Sequence, residues 1–505
     1  MKQLTGLDAI FLALDSGTVC SHLGCVAVLD PPVRGPALTT RRLAEIITAR
    51  LHVAPPFRRR LVEVPFGLDQ PYWMEDPNFD IEHHIGELEL PAPGDDGQLA
   101  AATARLHEQP LDRSRPLWEM RLIHGLTGGR KALYTKVHHA AIDGVAGSNL
   151  LAALVDTSAI PPTEIPEIPW HPDPLPSTAR LLGSSAISAA GRPLRCARLT
   201  AEVLRSLPAL ATGPGRPRLP VIDLLLPRRG SGAVSAPLIA PATPFNKMLG
   251  PLRRCAFGSL PLTTVNRIRN SVGATVNDVV MALCAGALRR WLRDHDGLPT
   301  GPLLAAVPVN IRGRDDSGTE GNRLAKVIAA LPTHLERPDQ RLRATREAMA
   351  TAKAQFSAIR PDLLTDIAQL AIPALAAPAT RFATRVRLLE RVRPLNLFIS
   401  NVPGPAVDVY LGGARLHAAY PISTIADGQG LNITVLGSRG KLNVGVVADA
   451  DLLPDPGAIM AALAEELALL EAGVDRMRPD RSKSEAVGSY SDQPCLSHRR
   501  AAGAQ

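Results

Sequence analysis

The sequence predicts a two-domain chain built from both strands and helices. Three observations carry that expectation. The first is length: at 505 residues the chain exceeds what one hydrophobic core organises, since domains run to roughly 50–200 residues before cores split. The second is alternation: Ala132 to Val137 is apolar and β-rich, whereas Val145 to Val155 is rich in Ala and Leu and reads as a helix. The third is a break in composition between Pro161 and Pro244, where proline, glycine and arginine mark a connector. We therefore expect a first half at 1–175, a linker and crossover helix at 176–242, a second half at 243–474 and a disordered tail at 475–505.

Charged residues are 21% and apolar residues 45% of the chain, ordinary values that exclude a disordered or fibrous bulk. The net charge of +8 is mild and comes from arginine clusters. It suits an anionic cofactor or a membrane surface, and equally plain solubility. Cys20, Cys25, Cys196, Cys255, Cys284 and Cys495 form no CxxC pair, so buried thiols in a reducing cytosol are the simplest account. The start, MKQLTGLDAIFLALDSG, carries acids inside its apolar part and does not read as a signal peptide. The nearest approach to a transmembrane run, Ile367 to Thr380, is broken by Gln369, Pro373 and Pro378. Membrane contact is therefore expected to be peripheral.

In chain order, HLGCVAVLDPP reads as a strand entering a Pro-Pro turn, and Thr39 to Leu51 as an amphipathic helix. His83 and His84 sit at a strand edge with no DG turn, which favours a structural role. Pro116-Leu117-Trp118 opens a strand, the proline setting its start and the tryptophan offering a large apolar wall with one N–H to place. Thr178 to Leu210 is helical in composition, with Arg180, Arg192, Arg195, Arg198 and Arg205 among apolar residues. Such a helix suits an anionic lipid surface, or a crossover with a solvated face. Thr243 to Leu262 restarts ordered structure with Asn246, Gly250, Arg253 and Arg254. Gly273 to Leu292 is a helix with Thr275 as its cap, opening on Asn277-Asp278. Those two polar residues either support a site wall or serve as the helix cap. Pro338 to Ile359 is a helix, and Arg381 to Arg393 an arginine cluster suited to phosphates or plain solvation. Asn396 to Ser400 is a strand ending in an Asn-Val-Pro-Gly-Pro turn. Leu431 to Asp449 is a hairpin, and Asp455 to Ala472 a closing helix.

The stretch with most chemistry is KVHHAAIDGVAG, Lys136 to Gly147. Successive strand residues point to opposite faces, so His138 and His139 cannot both face one cavity. One is then structural and the other offered to a reactant, and imidazole can take and return a proton near neutrality. Asp143 would fix the following turn, where Gly144 permits a backbone angle other residues resist. Satisfied core histidines, and a metal pair with Asp143, are the competing readings. The second is weak, because no HExxH spacing or further ligand accompanies the pair.

HHAAIDG is similar to the HHxxxDG motif of the CoA-dependent acyltransferase superfamily, which includes chloramphenicol acetyltransferase and peptide-synthetase condensation domains. With Pro116-Leu117-Trp118, Asn277-Asp278 and Asn401-Val402-Pro403-Gly404-Pro405 in the same order, the chain from Leu4 to Ala472 resembles the wax ester synthase/diacylglycerol acyltransferase family. The resemblance implies an α/β (α+β) fold of two chloramphenicol-acetyltransferase-like domains. Each would be a mixed sheet flanked by helices, with the active-site channel between them and His139 near its middle. It makes His139 the general base and Asp143 mainly architectural. His138, Gly144, Asn277 and Asp278 would support the site, and Pro116, Leu117 and Trp118 would wall the channel. Asn277 is also a candidate oxyanion donor. Acyl-CoA would be a substrate, with no metal or other cofactor, and the acceptor diacylglycerol or a long-chain alcohol. The expected setting is cytoplasmic, with peripheral contact at a membrane or lipid droplet and no nucleic-acid partner. A carrier-linked condensation-type enzyme and an inactive lipid-binding homologue are the alternatives.

Overall fold

The computed structural model describes residues 2–15, 17–32, 35–142, 154–160, 170, 172, 174–212, 239–310, 324–357 and 373–477. Its first half contains β1 (Lys2–Gln3), α1 (Gly6–Leu14), β2 (His22–Leu29), α2 (Thr40–Arg50), β3 (Arg59–Val62), β4 (Tyr72–Glu75) and β5 (Ile85–Glu89). Next come α3 (Asp96–Glu108), β6 (Trp118–His124), β7 (Lys131–His138) and the long α4 (Thr178–Thr212). The second half contains β8 (Arg253–Pro261), α5 (Leu262–Val272), α6 (Val276–Asp294), β9 (Leu303–Asn310), β10 (Leu324–Leu331), α7 (Pro338–Ser357), α8 (Pro373–Arg385) and α9 (Leu388–Val392). It closes with β11 (Leu397–Pro403), β12 (Tyr410–Leu411), β13 (Ala414–Ile422), β14 (Leu431–Ser438), β15 (Lys441–Asp449) and α10 (Pro456–Met477).

Two six-stranded mixed sheets organise these elements, in the orders β12-β13-β2-β7-β6-β5 and β10-β9-β11-β14-β15-β8; a small β1-β4-β3 sheet lies beside them. The helices start where their sequences cap them. Thr39 accepts the Arg42 N–H at 3.2 Å to begin α2. Asp95 and Gln98 form a reciprocal capping box on α3, and Thr275 and Asp278 another on α6. Helix α6 buries most of its residues, from Asp278 to Leu292, and is the centre of the second core, packed on by β9, β14, β15 and α10.

One connection departs from the simple division into sequence halves. Strand β13 belongs to the second half of the chain but pairs antiparallel with β2, from Leu416↔Leu29 to Ile422↔Gly24. The first sheet is therefore completed by a strand from beyond residue 400. An apolar cluster cements the exchange, uniting Val26, Val28 and Tyr134 with Ile422, Ile425 and Val447. Phe257 of β8 stacks on Tyr420 of β13 at 4.7 Å between centroids.

Other differences are local. Strand β11 runs on through Asn401 and Val402 to Pro403, past the expected stop at Ser400, because its parallel pairing with β14 continues to Pro403↔Gly437. Its pairing with β9 is confined to Leu397 and Phe398, so the proline ends an edge-like stretch, where a missing N–H is tolerated. Helix α10 extends to Met477, which places residues 475–477 in the helix and not in the expected tail. The expected helix from Val145 to Val155 lies mostly outside the described residues. At its far end Asp156 instead forms a β-bridge with Tyr410. The linker at 213–238 and the tail from 478 also lie outside them. Among the described residues no single helix is long and apolar enough to cross a membrane. Cys20, Cys25, Cys196, Cys255 and Cys284 are all unpaired thiols, and burial pushes the Cys284 thiol up to about 12.

Candidate active site

Strand β7 is sandwiched between β2 and β6, and its side chains divide by parity. Leu133 and Val137 enter the cluster with α2, Trp118 and Met120. Tyr134, Lys136 and His138 face the other way. The Lys136 ammonium is fully buried and donates to the carbonyls of Leu106 and Gln109 at 2.7 and 2.8 Å, with Glu119 at 2.7 Å.

The two histidines separate as alternation requires. His138 is 1% exposed. Its Nδ1 accepts the Ala140 N–H at 3.0 Å, so the ring proton sits on Nε2 and is donated to Asp15 Oδ2 at 2.9 Å. Both ring nitrogens are thus committed to the protein. His139, one residue past the strand, is half-buried. Its N–H donates to the Ser21 carbonyl at 2.7 Å and its ring stacks on Phe11 of α1 at 3.8 Å, 13° from parallel.

Asp15 is the organising carboxylate. Its Oδ1 accepts the Ser21 N–H at 2.8 Å, and its Oδ2 also accepts from Arg113 at 3.2 Å. Burial alone would raise its carboxyl. The hydrogen bond and attraction of His138, with the Ser21 N–H and hydroxyl, outweigh that and hold it at about 2. Because the folded value lies below the ordinary 3.8, this group stabilises the fold above about pH 4 and the contribution is lost as pH falls toward 2. The difference is about 2 kcal/mol at neutral pH. Asp15→Asn is expected to lower the urea-unfolding free energy by about that amount at pH 7 and by almost nothing near pH 2. Equal losses at both pH values would sink the assignment.

Asp15 lies outside the sequence motifs, although one local signal marks it. It caps the C-terminus of α1, where the helix dipole favours cations. An acid there needs another partner. The second half of the chain holds the loop that carries it: the Thr424 hydroxyl donates to the Cys20 carbonyl at 3.0 Å, and the buried Arg253 guanidinium reaches the Thr18 carbonyl.

Beneath the pair lies a layer of buried histidines. His22 packs edge-on to His138 and to His107, whose Nδ1 is 2.9 Å from the Tyr134 hydroxyl. Burial first, then Lys136 and His138, push His22 down to about 3. Burial, then His22, Lys136 and Arg253, push His107 well down. Unfolded, these rings take protons below about pH 6.5. Their depressed folded values therefore make stability full above that pH and falling below it. We expect the thermal midpoint to drop between pH 7 and 5. In His22→Gln the dependence should be shallower by up to about 1.4 kcal/mol per pH unit. An unchanged slope would contradict the buried neutral ring.

The remaining expected site residues fall in three groups. Pro116, Leu117 and Trp118 brace the histidine strand: the Leu117 carbonyl accepts the His138 N–H at 2.9 Å. Trp118 stacks between Phe57 and His84 at 4.5 and 4.4 Å, its Nε1–H donated to the Phe57 carbonyl. His84, buried with Nδ1 2.8 Å from the Trp118 carbonyl, has the structural role expected of it. Asp278 is engaged in the α6 cap, accepting the Thr275 N–H at 2.9 Å. Asn277 is half-buried beside it. Asp143 and Gly144 lie outside the described residues.

Two cavities flank the site. One, of about 360 Å³, is walled by α1, the loop at 63–71, Arg113 and the start of α8. The other, of about 600 Å³, lies between α3 of the first half and β8 and the start of α10 of the second. His139 is not among the lining residues of either. Among the described residues no three His, Cys, Asp or Glu side chains group as metal ligands.

Residues 4–280 match the family model of the wax ester synthase/diacylglycerol acyltransferase catalytic domain, and residues 320–471 that of the WS/DGAT C-terminal domain. The chain belongs to the wax ester synthase/diacylglycerol acyltransferase family. It is 36% identical over 490 residues to a Mycobacterium tuberculosis protein named as a diacylglycerol O-acyltransferase, covering 94% of this chain and 91% of that one. The solved wax ester synthase/diacylglycerol acyltransferase of Marinobacter aquaeolei VT8 is 28% identical, with a TM-score of 0.65 over 94% of this chain and 100% of that one. A trichothecene 15-O-acetyltransferase from Fusarium sporotrichioides, 13% identical with a TM-score of 0.55 over 93% and 94% of the two chains, shares the fold. The chain is thus an acyltransferase of the wax ester synthase/diacylglycerol acyltransferase family, with its two mixed sheets flanked by helices.

Proposed function

We propose that this family member transfers a long-chain acyl group from acyl-CoA to the hydroxyl of diacylglycerol, with a long-chain alcohol as a second acceptor, and that His139 is the general base. The observation that carries the assignment is the commitment of His138. With Nε2 on Asp15 and Nδ1 on Ala140, the first histidine cannot take a substrate proton without breaking its own anchoring. His139, half-buried at the strand end, is the histidine left to meet the acceptor.

His139 takes the acceptor's hydroxyl proton as the oxygen attacks the thioester carbonyl. The new C–O bond forms, the C–S bond breaks, and the CoA thiolate takes the proton back from His139. No covalent acyl-enzyme is required. Phe11 and the Ser21 carbonyl fix the ring and backbone of the base, which keeps it at one attack geometry. The Asn277 amide, with no hydrogen-bond partner among the described residues, can donate to the oxyanion. Diacylglycerol and long-chain alcohols dissolve in lipid, so the reaction belongs at a membrane or lipid-droplet surface. The deciding experiment follows thiol release and ester product from palmitoyl-CoA with diacylglycerol or hexadecanol. Release that does not depend on an acceptor would overturn the reading.

A further inference from the structure

We propose that one face of the protein, centred on the turn at Phe66 and Gly67, docks on an anionic lipid surface, and that the cavity behind α1 opens into that surface. The proposal rests on the lipid-acceptor reading above and names the face that would meet the lipid.

The turn is unusual in itself. Phe66 is 83% exposed at a φ of +60°, a backbone region that bulky residues rarely adopt. A large aromatic ring is thus held out into solvent by a constrained turn. Single exposed apolar side chains are ordinary on protein surfaces, so the argument depends on what surrounds this one. Three elements meet there. Helix α4 packs on the turn, and its Arg192 donates to the Leu68 carbonyl at 2.8 Å and to Asp69 at 3.1 Å. Helix α8 begins against it, with the Ala374 backbone 3.0 Å from where a Gly67 Cβ would lie, and packs on α1. Each element presents apolar side chains outward: Ile187 (78% exposed) and Leu194 on α4, Phe382 (67%) on α8, and Ile10 on α1.

The charge of this face selects the partner. From Thr178 to Thr200, α4 carries Arg180, Arg192, Arg195 and Arg198 and no acid. Helix α8 likewise ends on Arg385 and contains no acid. Of the acids nearest the turn, Asp69 is buried under Arg192, and Glu63, exposed, lines the cavity. Exposed rings and aliphatic side chains beside the exposed Arg195 and Arg198 fit an anionic lipid interface, where apolar groups enter the acyl boundary and cations meet headgroups.

The cavity of about 360 Å³ links this face to the chemistry. Phe66 and Ala374 stand at one side of it, and Ala9, Leu12 and Arg113 line it too. Arg113 holds Asp15, and α1 carries Phe11 against His139. An acceptor leaving the lipid through this cavity therefore enters beside the helix that positions the base.

The test uses the full chain and flotation with phosphatidylcholine vesicles, with and without phosphatidylglycerol. Wild type should float with the anionic vesicles and lose binding as salt rises. Phe66→Ser should weaken binding about tenfold, and Arg195→Glu with Arg198→Glu at least as much. Ile187→Ser with Phe382→Ser, outside the cavity wall, should lose activity on long-chain diacylglycerol in vesicles. The same pair should keep wild-type activity on a short-chain diacylglycerol dissolved as monomers. Wild-type chain that stays in solution with every vesicle, or variants that float like wild type, would overturn the proposal, as would equal loss on both acceptors. Vesicle binding without acyl transfer to any acceptor would instead sink the enzymatic reading and leave the docking face standing.

Discussion

Replacing His139 with alanine should lower acyl transfer by about 100- to 10,000-fold, the range a positioned base contributes, and leave the protein folded. The expectation of an intact fold comes from where the side chain sits. His139 lies past the end of β7, and the hydrogen bond from its N–H to the Ser21 carbonyl survives truncation. The ring's loss removes a stacking contact with Phe11 and opens no deep cavity. His138→Ala should behave differently. It strips a buried partner from Asp15 and leaves that carboxylate under-compensated, so stability and activity should fall together. The measurement is thiol release from palmitoyl-CoA beside thermal unfolding for both variants. If His139→Ala turned over within a few-fold of wild type, the general-base assignment would be wrong.

Gly445→Ala should be among the most destabilising single substitutions in the chain. A Cβ at Gly445 would lie 1.7 Å from the Pro421 carbonyl oxygen, and neither backbone can yield. Gly445 is held on both sides by β14 and β8, while Pro421 is paired to Cys25 of β2. This is where the two large sheets approach each other, so the added methyl would push them apart. The cost expected is about 3 kcal/mol or more. Because Thr424, a few residues along, pins the loop carrying Asp15 and Ser21, activity should fall as well. Gly437→Ala on β14, with no neighbour nearer than 3.9 Å, is the control and should change stability by about 1 kcal/mol or less. Urea unfolding of the two variants makes the comparison. A Gly445→Ala protein as stable as wild type would mean that the sheets do not pack in this way.

Much of the molecule is written locally. The caps of α2 and α6 and the alternation along β7 follow from residues within a turn or a strand of one another, where sterics and capping act without tertiary help. The same local rule separates His138 from His139, and the order of the motifs points to the family. Proximity between distant segments is another matter. That Asp15 would reach His138, 123 residues away, was not legible, because a carboxylate near the chain start has no periodicity that names its partner. That β13 would complete the first sheet was equally hidden. Its apolar pattern says that it is a strand, whereas which sheet it joins is settled by the cluster around Ile422 and by the close passage at Gly445. Of the two roles open to Asp278, the helix cap is the one its hydrogen bonds display. The sequence by itself determined the elements, the family and the pair of histidines. Only the tertiary structure decided which histidine is anchored, by what, and how the second half of the chain holds that anchor in place, because those are contacts between surfaces that local propensity does not encode.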